Sequence, residues 1–305
     1  MKPDHKPINS IACVGEAMIE LTPLSKNNAA MNVAGDVFNT AVYLRRLLPN
    51  CPLDFVTALG DDQASDMILE AARSHELGTS NIERRPGMSP GLYMISTDEQ
   101  GERSFSYWRS ASAARTLFIA PGTVPLATLN AYDLVYLSGI TLAVLSEAAR
   151  EDLLDWTEQY RKSGGLIAFD SNYRPTLWRD RRQAQRATEC MWRQCDIALP
   201  SVDDEMALFG DATEADVVKR LHGFGATLGT LKRGARGPLS LDGSGELQIL
   251  GPAPCVVDTT AAGDSFNAGF LAGIIAGKGT VDAMQQGHDL AGHVIGHRGA
   301  IMPKD

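Results

Sequence analysis

Short apolar runs alternate with longer amphipathic segments along most of the chain. The apolar runs are bounded by turn residues, and they predict buried strands at Ile11–Gly15, Leu53–Leu59, Leu134–Leu137, Leu166–Asp170, Asp196–Leu199 and Thr227–Lys232. Apolar positions at helical spacing predict helices at Asp36–Leu48, Gln63–His75, Leu145–Lys162, Arg181–Arg193 and Ala215–Gly223. Strands that alternate with helices of this length indicate βαβ units. The pattern therefore predicts an α/β fold with a mostly parallel sheet covered by helices on both faces.

Two segments depart from this alternation. Glu16–Asn32, and Gly91–Trp108 with a turn at Thr97–Gly101, read as half-exposed strands with no helix between them. They predict a small antiparallel lid beside the main sheet, formed by segments of about 16–33 and 88–113. Because the sequence contains no internal repeat and no low-complexity linker, we expect one domain over residues 1–305 that carries this lid.

Composition narrows the classes of partner. The 305 residues are 44% hydrophobic and carry a net charge of −9, which argues against nucleic acid as the main partner. The five cysteines show no metal-ligand spacing, so we expect reduced thiols and no zinc site. No secretory signal or apolar run of membrane length is present, so we expect a cytoplasmic protein without a membrane partner.

The segment from Cys255 to Phe270 carries the strongest chemical signal. Ala261, Ala262 and Gly263 have little or no side chain, so their N–H groups can approach an anion where a helix begins. Asp264 follows directly, and a carboxylate at a phosphate site is suited to accept a proton from an attacking hydroxyl. Taken alone, a Gly-Asp pair is more often a turn followed by a helix cap.

The whole stretch Asp258-Thr-Thr-Ala-Ala-Gly-Asp-Ser-Phe266 resembles the C-terminal signature of ribokinase-like carbohydrate kinases, Asp-Thr-x-Gly/Ala-Ala-Gly-Asp-x-Phe. The resemblance implies a three-layer α/β/α fold with a β lid, and ATP and Mg²⁺ as cofactors. It also implies that Asp264 is the catalytic base and that Ala261, Ala262 and Gly263 form the anion hole.

Further motifs follow in the order that this family shows. Ala34-Gly-Asp-Val-Phe-Asn-Thr-Ala41 is similar to the N-terminal sugar motif, which implies substrate contacts from Gly35, Asp36 and Asn39. Leu59-Gly-Asp-Asp62 matches a landmark that we interpret as structural. Lys232-Arg-Gly-Ala-Arg-Gly237 resembles the nucleotide loop, which implies ATP contacts from Lys232, Gly234 and Gly237. Gly287–Ile301 resembles the helix and tail beside the adenine.

Two further segments resemble parts of the family's cation sites. His297-Arg-Gly-Ala300 resembles part of the family's monovalent-cation site, which implies K⁺ near Asp258 and Thr260. For Mg²⁺, Pro200-Ser-Val-Asp-Asp-Glu205 stands where the family often has Asn-x-x-Glu. Ser201 replaces the Asn, and either Asp204 or Glu205 is the acid. No metal ligand is therefore assigned.

Two segments address the substrate. Tyr107 and Arg109 lie two residues apart, so they share a face of a strand, and a guanidinium beside a phenol suits a carboxylate. Arg174 follows a strand at the edge where α/β proteins bind ligands. A surface Arg and a packing Tyr, or a structural ion pair of Arg174, are the ordinary alternatives.

Both segments look like those of kinases that phosphorylate the 6-hydroxyl of 2-keto-3-deoxygluconate. That resemblance implies a sugar-acid pocket lined by the residues Gly35, Asp36, Asn39, Tyr93, Tyr107, Arg109 and Arg174. A fructokinase or a ribokinase-type kinase of a neutral sugar is the near alternative, and a non-catalytic sugar or nucleotide sensor is the distant one. The sequence leaves a homo-oligomer open.

Overall fold

The computed structural model describes residues 7–97, 103–247 and 256–304, and its centre is a parallel sheet. The sheet has six strands in the order β10-β9-β8-β1-β4-β5, and each neighbouring pair runs parallel. Its strands are β1 (Ile11–Val14), β4 (Leu53–Leu59), β5 (Ile82–Arg84), β8 (Leu134–Ser138), β9 (Leu166–Asp170) and β10 (Ile197–Leu199). A two-stranded ladder, β11 (Thr230–Leu231) and β12 (Leu239–Ser240), follows β10.

Helices cover both faces of this sheet. Within the described residues they are α1 (Asp36–Leu47), α2 (Gln63–Ser74), α3 (Gly139–Val144), α4 (Glu147–Lys162), α5 (Arg181–Gln194), α6 (Val202–Phe209), α7 (Glu214–Phe224), α8 (Ala262–Ile275) and α9 (Thr280–Val294). The five helices predicted from hydrophobic spacing are present, and their ends differ by two residues or fewer from those predicted.

The sheet separates two hydrophobic cores because successive strand residues point to opposite faces. Along β1, Ala12 and Val14 pack with α3, α4, α5 and α7, whereas Ile11 and Cys13 pack with α1, α2, α8 and α9. All four residues are fully buried. The predicted three-layer α/β/α architecture is confirmed.

A second sheet of four strands forms the lid in the order β3-β2-β6-β7. Its strands are β2 (Met18–Ser25), β3 (Asn28–Ala34), β6 (Gly91–Thr97) and β7 (Arg103–Trp108). The prediction of an antiparallel lid is correct for β2–β3 and β6–β7 but wrong for β2–β6, which are parallel. Strands β2 and β6 leave the main sheet in the same direction, so they pair parallel. Part of the predicted 97–101 turn lies outside the described residues.

Other differences between the predicted and observed elements concern short strands and the C-terminal helix. Only Thr230–Leu231 of the predicted strand Thr227–Lys232 is ladder-paired, and the short strand β5 was not predicted. The C-terminal helix spans Thr280–Val294, so Gly287–Ile301 comprises its second half and the tail that follows. Asp62 caps α2 by accepting the Ser65 N–H at 2.8 Å, which agrees with the structural interpretation of its motif.

Four of the five cysteines lie in the part of the chain that the structure describes. Cys13, Cys51, Cys190 and Cys195 are free thiols, and Cys255 lies outside the described residues. None of the described helices is long and apolar enough to cross a membrane.

Candidate active site

Polar side chains from distant parts of the chain converge where the parallel strands end. Ser138 closes β8, Asp170 closes β9, and Asn172 follows two residues later. Helix α1 begins at the same edge, directly after the buried Gly35. This is the edge at which open α/β sheets bind ligands.

The backbone of Glu16 passes close to Gly35, directly before Asp36. A Cβ on Gly35 would lie 2.2 Å from the Glu16 carbonyl oxygen, so no other residue fits without a shift of the chain. The Asp36 carboxylate accepts the Ser138 hydroxyl at 2.5 Å and the Asn172 amide at 2.8 Å. Burial raises the pKa of Asp36, and the Ser138 bond opposes that rise.

Asp264 lies in the first turn of α8, within reach of α1. Its Oδ2 accepts the Asn39 amide at 2.8 Å, and Thr40 Oγ1 lies 3.2 Å from its backbone carbonyl oxygen. Burial and, after it, the charge of Asp36 raise the pKa of Asp264 to about 8, and the Asn39 hydrogen bond opposes the rise. The predicted base and two predicted sugar residues are therefore brought together.

The turn before α8 places one left-handed residue directly before the helix begins. Ala261 takes φ 62° and ψ 15°, in the left-handed region, and the helix begins at the next residue. The Ala262 N–H donates to the Thr259 carbonyl at 3.2 Å. The Ala262 N–H, predicted to face an anion, is thus used inside the turn, whereas the N–H groups of Gly263 and Asp264 stand at the start of the helix, where a helix provides no partner of its own.

Beneath this turn, a buried polar network joins α8 to two strands. Lys232 Nζ donates to Asp170 Oδ1 at 2.7 Å and to Asn267 Oδ1 at 3.1 Å. Asn267 Nδ2 donates to Asp170 Oδ2 at 2.8 Å and to the Tyr136 hydroxyl at 3.1 Å. Lys232, predicted to contact the nucleotide, is bonded inside the protein.

The lid places three predicted residues above the site. Tyr93 is buried and donates its hydroxyl to the buried Glu20. The Tyr107 ring lies 5.7 Å from that of Tyr93 and is 51% exposed. Arg109 is buried in an ion pair with Glu16, and its guanidinium carbon lies 5.9 Å from the Tyr107 ring centre.

The lid also packs against the turn that precedes Asp264. Met18, Ala34 and Tyr93 form a small apolar cluster with Ala300, and Ala261 packs against it. The lid, the C-terminal tail and the turn that precedes Asp264 therefore share one contact surface.

Arg174 lies at the opposite rim. Its side chain is 50% exposed and lies 3.4 Å from Asp204. Burial raises the pKa of Tyr107, and the charges of Arg109 and Arg174 both oppose that rise. The contact of Arg174 with Asp204 is the structural ion pair that the sequence left open as the alternative.

The glycines of the nucleotide motif form a tight turn beside β11. Gly234 has φ 58° and Gly237 has φ 78°, both in the region that favours glycine. Arg233 closes the turn by donating to the Gly237 carbonyl at 2.7 Å, and it pairs with Glu214 at 2.8 Å.

The two acids considered for Mg²⁺ differ in environment. Glu205 is fully buried, where its carboxylate accepts Trp192 at 3.2 Å and Arg220 at 2.9 Å. Asp204 faces the site, 3.3 Å from the Ser171 hydroxyl. Within the described ranges, no three His, Cys, Asp or Glu side chains are grouped to hold a metal ion by themselves.

The loop predicted to hold K⁺ is tied to the tail. Asp258 accepts the Thr260 N–H at 2.9 Å and the Gly299 N–H at 2.7 Å. These bonds bring residues 258–260 next to residue 299.

Several residues of the site were not predicted. Ser138 and Asn172 bind Asp36, Glu16 binds Arg109, and Asp170 with Asn267 binds Lys232. One signal was available for Asn267, because it follows Asp264 by three residues and so shares a helix face with it.

Comparisons with known proteins define the class. Residues 8–305 match the model of the pfkB family of carbohydrate kinases, and the chain belongs to this family. It is 40% identical over 302 residues to a 2-dehydro-3-deoxygluconokinase of Escherichia coli strain K12, with 97% of each chain covered. It is 42% identical over 303 residues to a 2-dehydro-3-deoxygluconokinase of Dickeya dadantii strain 3937, with 96% of this chain and 97% of the relative covered.

A solved structure supports the fold. A fructokinase of Xylella fastidiosa with bound ATP superposes with a TM-score of 0.82 at 21% identity. The match covers 96% of this chain and 94% of the fructokinase chain. At this identity the likeness concerns the fold alone.

Proposed function

We propose that the chain transfers the γ-phosphoryl group of ATP to the 6-hydroxyl of 2-keto-3-deoxygluconate, giving 2-keto-3-deoxy-6-phosphogluconate and ADP. The observation that carries the proposal is the identity of 40% and 42%, over nearly the whole length, with two proteins named 2-dehydro-3-deoxygluconokinase. That name denotes the same sugar acid.

The chemistry assigns Asp264 as general base. Its carboxylate takes the proton of the attacking hydroxyl while the oxygen–phosphorus bond forms and the bond to ADP breaks. Asn39 holds the carboxylate through one oxygen, 2.8 Å away. The N–H groups of Gly263 and Asp264, at the N-terminus of α8, stabilise the charge that develops on the transferred group.

The sugar lies between α1 and the lid. Gly35 and Asp36 contact its hydroxyls from one side, and Tyr93 and Tyr107 cover it from the other. Arg109 binds the carboxylate, since its buried Nε has no hydrogen-bond partner among the described residues. Arg174 supplies a second cation at the rim.

The nucleotide lies along the turn of Gly234 and Gly237, whose backbone can approach the phosphates closely. Asp204 is the carboxylate placed to hold Mg²⁺, because Glu205 is fully buried in bonds to Trp192 and Arg220. When bound, Mg²⁺ neutralises charge on the nucleotide phosphates. Oxygen atoms of the loop that contains Asp258 and Thr260 would hold K⁺.

A phosphorylation panel tests the proposal. The protein is supplied with ATP, Mg²⁺ and one acceptor, either 2-keto-3-deoxygluconate, gluconate, fructose, ribose or a nucleoside, and ADP release is measured. We expect 2-keto-3-deoxygluconate to give the highest kcat/KM. A preference for fructose would favour the fructokinase alternative, and no ADP release with any acceptor would favour the sensor.

A further inference from the structure

Lys232 stands where the nucleotide loop begins, yet its side chain turns away from that loop. Its ammonium group forms an ion pair of 2.7 Å with Asp170, and the two side chains are 14% and 4% exposed. A phosphate that drew Lys232 away from Asp170 would leave that carboxylate buried without its counter-ion, which is strongly unfavourable.

The ion pair is fixed by the catalytic helix. Asn267 accepts Lys232 at 3.1 Å and donates to Asp170 at 2.8 Å, so it is bonded to both partners. It projects from α8 one turn after Asp264, on the same face. The positions of Lys232 and Asp170 are therefore tied to the helix that carries the base.

Charged and titratable groups on several elements act electrostatically on Asp264. They are Asp36 and Tyr43 of α1, Tyr93 of the lid, Tyr136 of β8, Asp170 of β9 and Lys232 after β11. After burial and Asp36, Asp170 also raises the pKa of Asp264, whereas Lys232 lowers it. Lys232 therefore offsets the acids that surround the base.

We propose that Lys232 is a positioning residue, the fixed counter-ion of Asp170, which governs how readily Asp264 accepts the substrate proton and which does not bind the nucleotide. The inference rests on the proposed function, in which Asp264 is the base. It differs from the expectation drawn from the sequence, which assigned Lys232 to the ATP site.

The test compares Lys232→Met, Asp170→Asn and the double variant with the wild type. The acid limb of kcat/KM for 2-keto-3-deoxygluconate is recorded against pH, and the ATP dissociation constant is measured by calorimetry without sugar. In Lys232→Met, loss of the ammonium charge should raise the midpoint of the acid limb by about one pH unit. In Asp170→Asn, loss of the carboxylate charge should lower it by about one, the shift typical of one neighbouring charge. The double variant should lie near the wild type.

Two controls separate charge from structure. Lys232→Arg keeps the charge and should keep the midpoint, and Lys219→Met removes an exposed lysine of α7 and should change nothing. For Lys232→Met, an ATP dissociation constant within twofold of wild type supports the proposal. A rise of tenfold or more, or an unchanged midpoint in both single variants, overturns it.

The ATP measurement also separates this inference from the proposed function. If the wild type fails to phosphorylate the sugar acid, the proposed function is wrong, while the ATP affinity of Lys232→Met still decides whether Lys232 binds the nucleotide. If Lys232→Met does not fold, the double variant Lys232→Met/Asp170→Asn, which leaves no buried charge without its partner, provides the ATP affinity instead.

Discussion

The Asp264 carboxylate occupies a place that is unfavourable for its charge. Burial, Asp36 and Asp170 all disfavour ionisation, and together they raise its pKa to about 8, against the stabilising contacts of Asn39 and Lys232. A base whose pKa lies near the working pH transfers protons efficiently, so this environment fits the proposed role of Asp264 as the base.

Asp264→Asn should separate the effect of this carboxylate on turnover from its effect on stability. We expect turnover to fall by about 10²–10⁴-fold, the usual loss on removing a general base. The melting temperature should rise by several degrees above pH 8, because the neutral amide replaces an ionised carboxylate beside Asp36. Steady-state kinetics and thermal unfolding at pH 8.5 check both. A folded variant with near-normal turnover would remove the base assignment.

At the scale of single elements, the start of α8 depends on backbone conformation. Ala261 holds φ at 62°, which a residue with a Cβ adopts at some cost, and it also packs against the lid cluster. A small residue is therefore required there for two independent reasons.

Ala261→Gly and Ala261→Val form a matched pair at this turn. We expect Ala261→Gly to keep activity within a fewfold of wild type, since glycine adopts positive φ freely. Ala261→Val should lose most activity, because a β-branched residue at positive φ is a genuine outlier. Measured kcat with a circular-dichroism check of folding tests this, and equal activity of the two variants would contradict it.

The lid is fastened by the buried pair of Glu16 and Arg109, which joins the segment before β2 to the residue after β7. Truncating Arg109 leaves Glu16 buried without its counter-ion. A loss of activity in Arg109→Ala would therefore have two causes, the loss of substrate binding and the loss of stability.

The double variant Glu16→Ala/Arg109→Ala separates these two causes. Arg109→Ala alone should lower the free energy of unfolding by about 3–5 kcal/mol, the usual cost of breaking a buried pair. The double variant should recover much of this stability while kcat/KM for the sugar acid stays low. Urea unfolding and kinetics measure the two quantities. Full recovery of activity in the double variant would show that Arg109 does not bind the substrate.

Over the whole molecule, several buried acids have raised pKa values. Burial raises the pKa of Glu205 to about 7 and that of Asp264 to about 8. Each group binds a proton in the folded state at a pH where the unfolded chain has lost it, so each stabilises the fold at low pH and loses this effect as the pH rises through its folded pKa. Burial lowers the pKa of His75, which acts in the opposite direction near pH 6.5.

We therefore expect the melting temperature to decrease between pH 5.5 and pH 8.5. Combining Glu205→Gln with Asp264→Asn should flatten this decrease, because neither replacement titrates. Thermal unfolding across the pH range measures the slope of each protein. A variant slope as steep as that of the wild type would assign the pH dependence to other groups.

Features that depend on residues close together in the sequence could be predicted, whereas contacts between residues far apart in the sequence could not. The layers, the helices and the turn before Asp264 are encoded by hydrophobic period and by a contiguous motif, so they could be predicted. The partner of Arg109 lies 93 residues away in the chain, and Lys232 meets Asp170 across 62. Such pairings depend on the order of strands in the sheet, which no local pattern specifies.

The tail of the described chain has a consequence for engineering. Tyr43 of α1 donates to the Ala300 carbonyl at 2.9 Å and accepts the Met302 N–H at 3.1 Å, while Ala300 packs under the lid. A fusion partner or tag joined after this segment needs a flexible spacer, since tension on residues 300–302 would be transmitted to the helix that presents Asn39 and to the turn that presents Asp264. Immobilisation through the opposite end of the chain leaves these contacts intact.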